Sequence, residues 1–112
     1  MTTFKPLEIA DISIITQMMQ DFYAIDNYPM DVEVAKTLFQ EFISNEHLGK
    51  SWLIYSENEI VGYIILTFIF SFEYGGKIAF VDELFIKETA RGKGFGKEAI
   101  QFIQQEVPKL SL

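Results

Sequence analysis

The sequence contains no cysteine, which excludes a disulfide framework, a thiolate metal site and a cysteine nucleophile. This absence is typical of proteins in a reducing compartment. The opening residues, MTTFKPLEIAD, also lack the basic region and apolar run of a signal peptide. Both absences favour a cytoplasmic protein.

Long hydrophobic runs are absent as well. The longest uncharged run, Ile60 to Phe72, has 13 residues, whereas a membrane-spanning helix requires about 20. Because this run is rich in β-branched and aromatic residues, it predicts a buried strand and no membrane association. With 49% apolar and 15% aromatic residues, the chain is predicted to fold as one domain over residues 1–112.

Basic residues are scarce, with 9 Lys or Arg against 16 Asp or Glu and a net charge of −7. Residues 1–46 carry eight acidic residues and two lysines, whereas residues 87–97 carry four basic residues and one acidic residue. General nucleic-acid binding needs a broad basic face, so this distribution argues against it. The distribution favours a small polyanionic ligand at the basic stretch and a cationic partner elsewhere.

Hydrophobic periodicity predicts the element order β-α-α-β-β-β-α. Apolar residues at helical spacing follow Asp11 and Asp31, which are suitable N-caps, and the two helices are predicted to end near residue 25 and near residues 47–49. A third helix follows a glycine-rich stretch and ends before Pro108. The predicted strands cover residues 4–7, 51–56, 59–72 and 77–86.

The second and third strands are predicted to form a hairpin, because Glu57-Asn58 between them suits a tight turn. The third strand is longer than strands usually are. We therefore expect a bend or bulge in it, at Gly62 or Ser71.

The stretch RGKGFGK, residues 91–97, holds three of the seven glycines and three of the nine basic residues. A strand followed by a glycine-rich turn that opens a helix is a recurrent phosphate site, because unpaired N–H groups and the helix dipole favour an anion there. The P-loop motif does not fit, since Arg91 replaces its first glycine and Glu98 replaces its hydroxyl residue. The dinucleotide motif does not fit either, since Lys97 stands where its third glycine belongs.

A third motif, R-x-x-G-x-G/A, matches residues 91–96, and this match resembles the pyrophosphate loop of the GNAT superfamily of N-acetyltransferases. The preceding strand, FVDELFI, and the element order are similar to that superfamily over essentially the whole chain. The resemblance implies an α/β (α+β) fold of the GNAT type, in which helices flank a mixed, mainly antiparallel sheet. It also implies acetyl-CoA as cosubstrate and no metal.

The resemblance implies how acetyl-CoA is held. The backbone amides of residues 91–97 would bind the pyrophosphate, and the backbone of residues 84–86 would pair with the pantetheine arm like a neighbouring strand. Phe95 is expected to pack the helix rather than to contact the ligand. The implied binding residues are Leu84, Phe85, Ile86, Arg91, Gly92, Lys93, Gly94, Phe95, Gly96 and Lys97.

Two carboxylates, Asp82 and Glu83, interrupt an otherwise apolar strand, and burying either without a purpose would be costly. Neighbours in a strand point to opposite faces, so only one of them is expected to line a given cleft. The resemblance implies that a carboxylate at the Asp82 position is the general base, directly or through water, while Glu83 could instead hold the substrate ammonium or brace a loop. Both are candidate catalytic residues, and which of them takes the proton is left open. The other reading is that one of the two carboxylates is structural.

The acceptor is expected to be a small-molecule or protein amine. In the superfamily, the loop between the first two helices and the hairpin before the last strand of this chain select the substrate. The candidates there are Tyr28, Glu73 and Tyr74, because an acid beside aromatic rings attracts an ammonium group.

The sequence departs from the superfamily pattern at its end, since the superfamily continues with a further strand and helix beyond Leu112. We therefore expect a C-terminally shortened domain whose last strand has an unpaired edge, and a homodimer formed through that edge. Two functions remain open at this stage. One is an N-acetyltransferase for a cationic acceptor, and the other is a catalytically incomplete remnant that binds CoA or acts as an interaction module.

Overall fold

The computed structural model describes residues 1–110 and confirms the predicted element order and fold class. The strands form one antiparallel sheet in the order β1-β2-β3-β4, and every strand pairing within the described part of the chain is antiparallel. The elements are β1 (Thr2–Pro6), α1 (Ile12–Ile25), α2 (Val32–Ser44), β2 (Gly49–Ser56), β3 (Glu59–Ser71), β4 (Gly76–Ile86) and α3 (Phe95–Glu106).

Two hydrophobic cores lie on opposite faces of the sheet, because alternate residues of the central strands point in opposite directions. Helices α1 and α2 cover the face that carries Leu53, Tyr63 and Ile65. Helix α3 covers the face that carries Trp52 and Ile64. All five of these side chains are at most 5% exposed, so the central strands are buried on both faces.

The helix boundaries follow from local chemistry. The Asp31 carboxylate accepts hydrogen bonds from the N–H groups of Glu33 (3.0 Å) and Val34 (3.2 Å), which confirms it as the N-cap of α2. Asp11 precedes α1 without capping it, because its carboxylate instead accepts from the N–H of Glu8 and from Lys5 Nζ. The hydrogen bond from Lys5 to the Asp11 carboxylate, followed by one to the Glu8 carboxylate, raises the pKa of Lys5 above its usual range.

The hairpin between β2 and β3 turns at Glu57 and Asn58, as predicted. Both residues have positive φ angles, 51° and 68°, which is the geometry of a tight turn whose twist matches the flanking strands. In the ladder between these strands, Ile54 faces Gly62 and Tyr55 faces Ile60, so one residue of β3 is unpaired there. The irregularity lies beside Gly62, one of the two positions at which a bend was expected.

Strand β4 is the edge of the sheet within residues 1–110, where it pairs with β3 alone. Its ladder is also irregular: Ile65 faces Glu83 and Leu66 faces Val81, so Asp82 is the extra residue of a bulge. The sequence analysis did not predict this second bulge, and it determines where the two carboxylates point. No helix in the described part of the chain is long and apolar enough to cross a membrane.

Candidate functional site

The glycine-rich stretch forms an open turn between β4 and α3. Gly92 and Gly94 have φ angles of 80° and 85°, a left-handed conformation that glycine adopts without steric cost. A Cβ atom added at either position would meet no atom within 4 Å. Glycine is therefore required here by the backbone conformation, and the space around the turn is free for a ligand.

Six consecutive backbone N–H groups, from Gly92 to Lys97, donate to no acceptor within residues 1–110. The N–H of Arg91 is different, because it donates to the Glu88 carbonyl at 3.3 Å. The free amides therefore begin one residue later than the sequence implied. The three at positions 95–97 open α3, where the helix dipole adds partial positive charge. Such a row of amides suits a phosphate group.

The Arg91 side chain ties this turn to the end of β4. Its Nε donates to the Ile86 carbonyl oxygen at 2.9 Å, and its guanidinium carbon lies 5.8 Å from the centre of the Phe85 ring. Lys93 and Lys97 are exposed and form no ion pair with a carboxylate of the described residues. Two lysine charges near the free amides thus have no carboxylate partner within residues 1–110.

Phe95 is half-buried and packs against the core beneath α3, as expected for a helix residue. Gly96 lies in the first turn of α3, and a Cβ there would come no closer than 4.0 Å to the Leu84 side chain. The packing of Phe95 and Leu84 against the same core holds the start of α3, and with it the free amides, beside β4.

Asp82 and Glu83 both line one cavity of about 240 Å³ beneath α1 and α2, which we call the carboxylate cavity. This corrects the expectation that only one of them can line a given cleft. In a regular strand the two side chains would point to opposite faces, but the bulge at Asp82 breaks the alternation. The other walls are mainly apolar and come from Met19, Tyr23, Ala35, Leu38, Phe39, Phe42, Ile65 and Thr67.

The Glu83 carboxylate is held by two tyrosines that the sequence analysis missed. The Tyr23 hydroxyl donates to one of its oxygens at 2.5 Å, and the Tyr63 hydroxyl donates to the other at 2.8 Å. Burial, followed by the neighbouring carboxylate, raises the pKa of both phenols above their usual range, so both stay protonated as donors. Glu83 thus has a fixed position in the carboxylate cavity.

Asp82 differs from Glu83 in its surroundings. It is exposed, and its carboxylate accepts no hydrogen bond from any described residue. A free carboxylate beside a held one, with apolar walls around them, can receive a cationic group that also has a hydrocarbon part.

The predicted substrate residues lie elsewhere on the surface. Tyr28 is in the connection between α1 and α2, and its side chain is 67% exposed. Glu73 and Tyr74 lie in the turn between β3 and β4, roughly 20 Å along β4 from Asp82. None of the three lines the carboxylate cavity, and their role in substrate selection stays a prediction. No group of three or more potential metal ligands occurs among the described residues.

Comparisons with known proteins agree with this architecture. A sequence model of the acetyltransferase (GNAT) family matches residues 14–112. An integron cassette protein from the mobile metagenome of Cole Harbour Salt Marsh is similar in structure, with 36% identity and a TM-score of 0.91 over 97% of this chain and 72% of that one. No curated protein matches the chain.

Two further solved structures share the fold. A ribosomal-protein-alanine N-acetyltransferase from Brucella melitensis biovar Abortus 2308 has 17% identity and a TM-score of 0.79, over 97% of this chain and 73% of that one. A predicted acetyltransferase from Clostridium acetobutylicum, solved with acetyl-CoA, has 16% identity and a TM-score of 0.75, over 97% of this chain and 75% of that one.

Proposed function

The chain belongs to the GNAT family of acetyltransferases, and from this we propose that it transfers the acetyl group of acetyl-CoA to a primary amine of a cationic acceptor. The row of free amides from Gly92 to Lys97 is the observation that carries the proposal. The absence of cysteine supports a place in the reducing cytoplasm.

Acetyl-CoA is proposed to bind with its pyrophosphate on the free amides, where Lys93 and Lys97 offset the negative charge. Its pantetheine arm then runs along the outer edge of β4, at residues 84–86. The Arg91 side chain donates a hydrogen bond to the Ile86 carbonyl oxygen. This bond supports a role for Arg91 in positioning the glycine-rich turn against the end of β4.

The acceptor is proposed to bind in the carboxylate cavity, with its ammonium between Asp82 and Glu83. Asp82 takes the proton from the ammonium and frees the nitrogen lone pair. The nitrogen attacks the thioester carbonyl, so that a C–N bond forms and the C–S bond breaks. The second proton that the nitrogen loses passes to the departing thiolate, which leaves as the CoA thiol. A backbone N–H near Leu84 or Phe85 stabilises the charge that develops on the carbonyl oxygen. Glu83, held by two tyrosines, positions the acceptor.

The first prediction tests whether the two lysines bind the phosphates of acetyl-CoA. Replacing both lysines, Lys93→Gln with Lys97→Gln, is expected to weaken acetyl-CoA binding about tenfold, because two charges beside the phosphates are lost. Calorimetric titration measures the change. Lys36→Gln is the matched control, since Lys36 lies on α2 and pairs with Glu33 at 3.9 Å. Equal affinity in all three proteins would place the phosphates elsewhere.

A second candidate function is a CoA-binding or interaction module without turnover. The unpaired outer edge of β4 within residues 1–110 favours this module. In the described sheet, β4 is the one strand beside the proposed pantetheine position, and no second strand flanks it on the other side. A thiol-release assay over a panel of amines separates the two candidates. Acetyl-CoA binding with release of CoA supports the enzyme, and binding without release supports the module.

The same edge leads us to propose a homodimer. Exposed strand edges pair readily with a second chain, and β4 also presents two large apolar side chains, Phe80 at 48% and Val81 at 45% exposure. Sedimentation velocity is expected to show a dimer at micromolar concentration. Val81→Lys, which adds charge at the edge, is expected to shift the protein to a monomer. A monomeric parent protein contradicts this proposal and leaves the acetyl-transfer proposal intact.

A further inference from the structure

We propose that a second cavity of this protein binds a small organic anion, a molecule with phosphate or carboxylate groups on an apolar body. The cavity has a volume of about 540 Å³ and lies at the end of the sheet where β2 and β4 begin. Three of the nine basic residues line it, Lys50, Lys77 and Lys109. We call it the lysine cavity.

The lysine cavity is separate from the glycine-rich turn. The turn precedes the first residue of α3, whereas Lys109 and Leu110 follow the last turns of the same helix. A helix of 12 residues is about 18 Å long. An anion in the lysine cavity therefore does not occupy the proposed pyrophosphate site.

Register places two of the lysines on one face of the sheet. Lys50 faces Leu66 across the ladder, and Leu66 belongs to the core under α3. Lys77 lies two residues before Ala79, which packs against the same core, and residues two apart in a strand share a face. Both ammonium groups also lie over aromatic rings, Lys50 Nζ at 5.3 Å from Trp52 and Lys77 Nζ at 6.0 Å from Phe68.

The charge of the lysine cavity is only partly compensated. Lys50 and Lys77 form no ion pair with any carboxylate of residues 1–110, whereas Lys109 Nζ lies 3.3 Å from a carboxylate oxygen of Glu106. Among the lining residues that the structure describes, Glu46 is the one with a carboxylate. Two uncompensated positive charges in one concave site, on a chain with a net charge of −7, indicate an anionic ligand.

The remaining walls indicate the rest of the ligand. Apolar side chains of Leu7, Phe42, Ile43 and Leu110 line the lysine cavity beside the charged groups. The volume lies in the range of small-molecule sites, roughly 300–1,000 Å³. A hydrocarbon or ring that bears two or more negative oxygens would contact both the apolar side chains and the lysines. An inorganic ion would contact the lysines alone.

Nuclear magnetic resonance of the ¹⁵N-labelled protein tests this inference, because the backbone amides near each of the two anion sites report binding at that site. The probes are phenyl phosphate, phthalate and inorganic phosphate. We expect saturable shifts at His47, Lys50, Ser51 and Lys77, with phenyl phosphate or phthalate binding at least tenfold more tightly than inorganic phosphate. The tighter of the two organic probes identifies phosphate or carboxylate as the recognised group.

The variant Lys50→Gln with Lys77→Gln is expected to weaken binding of the tighter probe at least tenfold, and Lys36→Gln is expected to change it less than twofold. Each single variant is measured too, so that the inference can still be tested if the double variant does not fold. Shifts confined to residues 92–97, no saturable shift at the cavity, or equal affinity in the folded lysine variants would each overturn the inference. None of these outcomes bears on acetyl transfer.

Discussion

Replacing Asp82 with asparagine is expected to lower the rate of acetyl transfer by about 10²–10⁴-fold, the contribution typical of a general base. Asparagine keeps the size of the side chain and removes its ability to take a proton. Asp82 is exposed and accepts no hydrogen bond from a described residue, so the change breaks no internal contact. Initial rates of thiol release at saturating acetyl-CoA, with an amine that the parent protein acetylates, measure the effect.

Two comparisons make this prediction specific. Asp21→Asn on α1, an exposed carboxylate outside the carboxylate cavity, is the matched control and is expected to leave the rate unchanged. Glu83→Gln is expected to raise KM for the acceptor more than it lowers kcat, because Glu83 positions and does not take the proton. If the rate falls with Glu83→Gln and not with Asp82→Asn, Glu83 is the general base and Asp82 positions the acceptor.

Local features of the fold and the site could be predicted from the sequence because they depend on neighbours in the chain. The turn at Glu57-Asn58, the cap at Asp31 and the glycine-rich turn that opens α3 are each determined by a few consecutive residues. The family was predicted from the same local motif, and the match over residues 14–112 confirms it.

The orientation of the two carboxylates could not be predicted in this way. Alternation along a strand is a sound rule for Asp82 and Glu83 only if the ladder with β3 is regular. The bulge arises from pairing with residues of β3 that lie 15 to 18 positions earlier, since Leu66 faces Val81 and Ile65 faces Glu83. Within β4, residues 77–86 contain no glycine that would signal a bulge at Asp82.

The tyrosine pair was missed for a related reason. Tyr23 lies next to Phe22 on α1 and Tyr63 lies in the apolar run of β3, so neither was singled out as a site residue. Their hydroxyls reach Glu83 only after folding, across 60 and 20 positions of the chain. The available signal was the cost of burying a carboxylate, which requires donors nearby.

Replacing Gly62 with alanine is expected to lower the free energy of unfolding by about 3 kcal/mol, the upper part of the range for overpacking. A Cβ at this position would overlap the carbonyl oxygen of Phe85 and lie 3.1 Å from the Cα of Ile86. Both are backbone atoms of β4, so they cannot move aside as a side-chain end does without breaking the ladder. Urea unfolding followed by circular dichroism measures the loss.

Gly96→Ala gives the opposite expectation and serves as the control for Gly62→Ala. A Cβ there meets only the Leu84 side chain, at 4.0 Å, and alanine is favoured over glycine within a helix. Stability is expected to stay equal or rise by up to ~1 kcal/mol. Since Gly62 faces Ile86 in the ladder, Gly62→Ala is also expected to weaken acetyl-CoA binding by displacing the end of β4. A fully stable Gly62→Ala protein would contradict the close approach of the two strands.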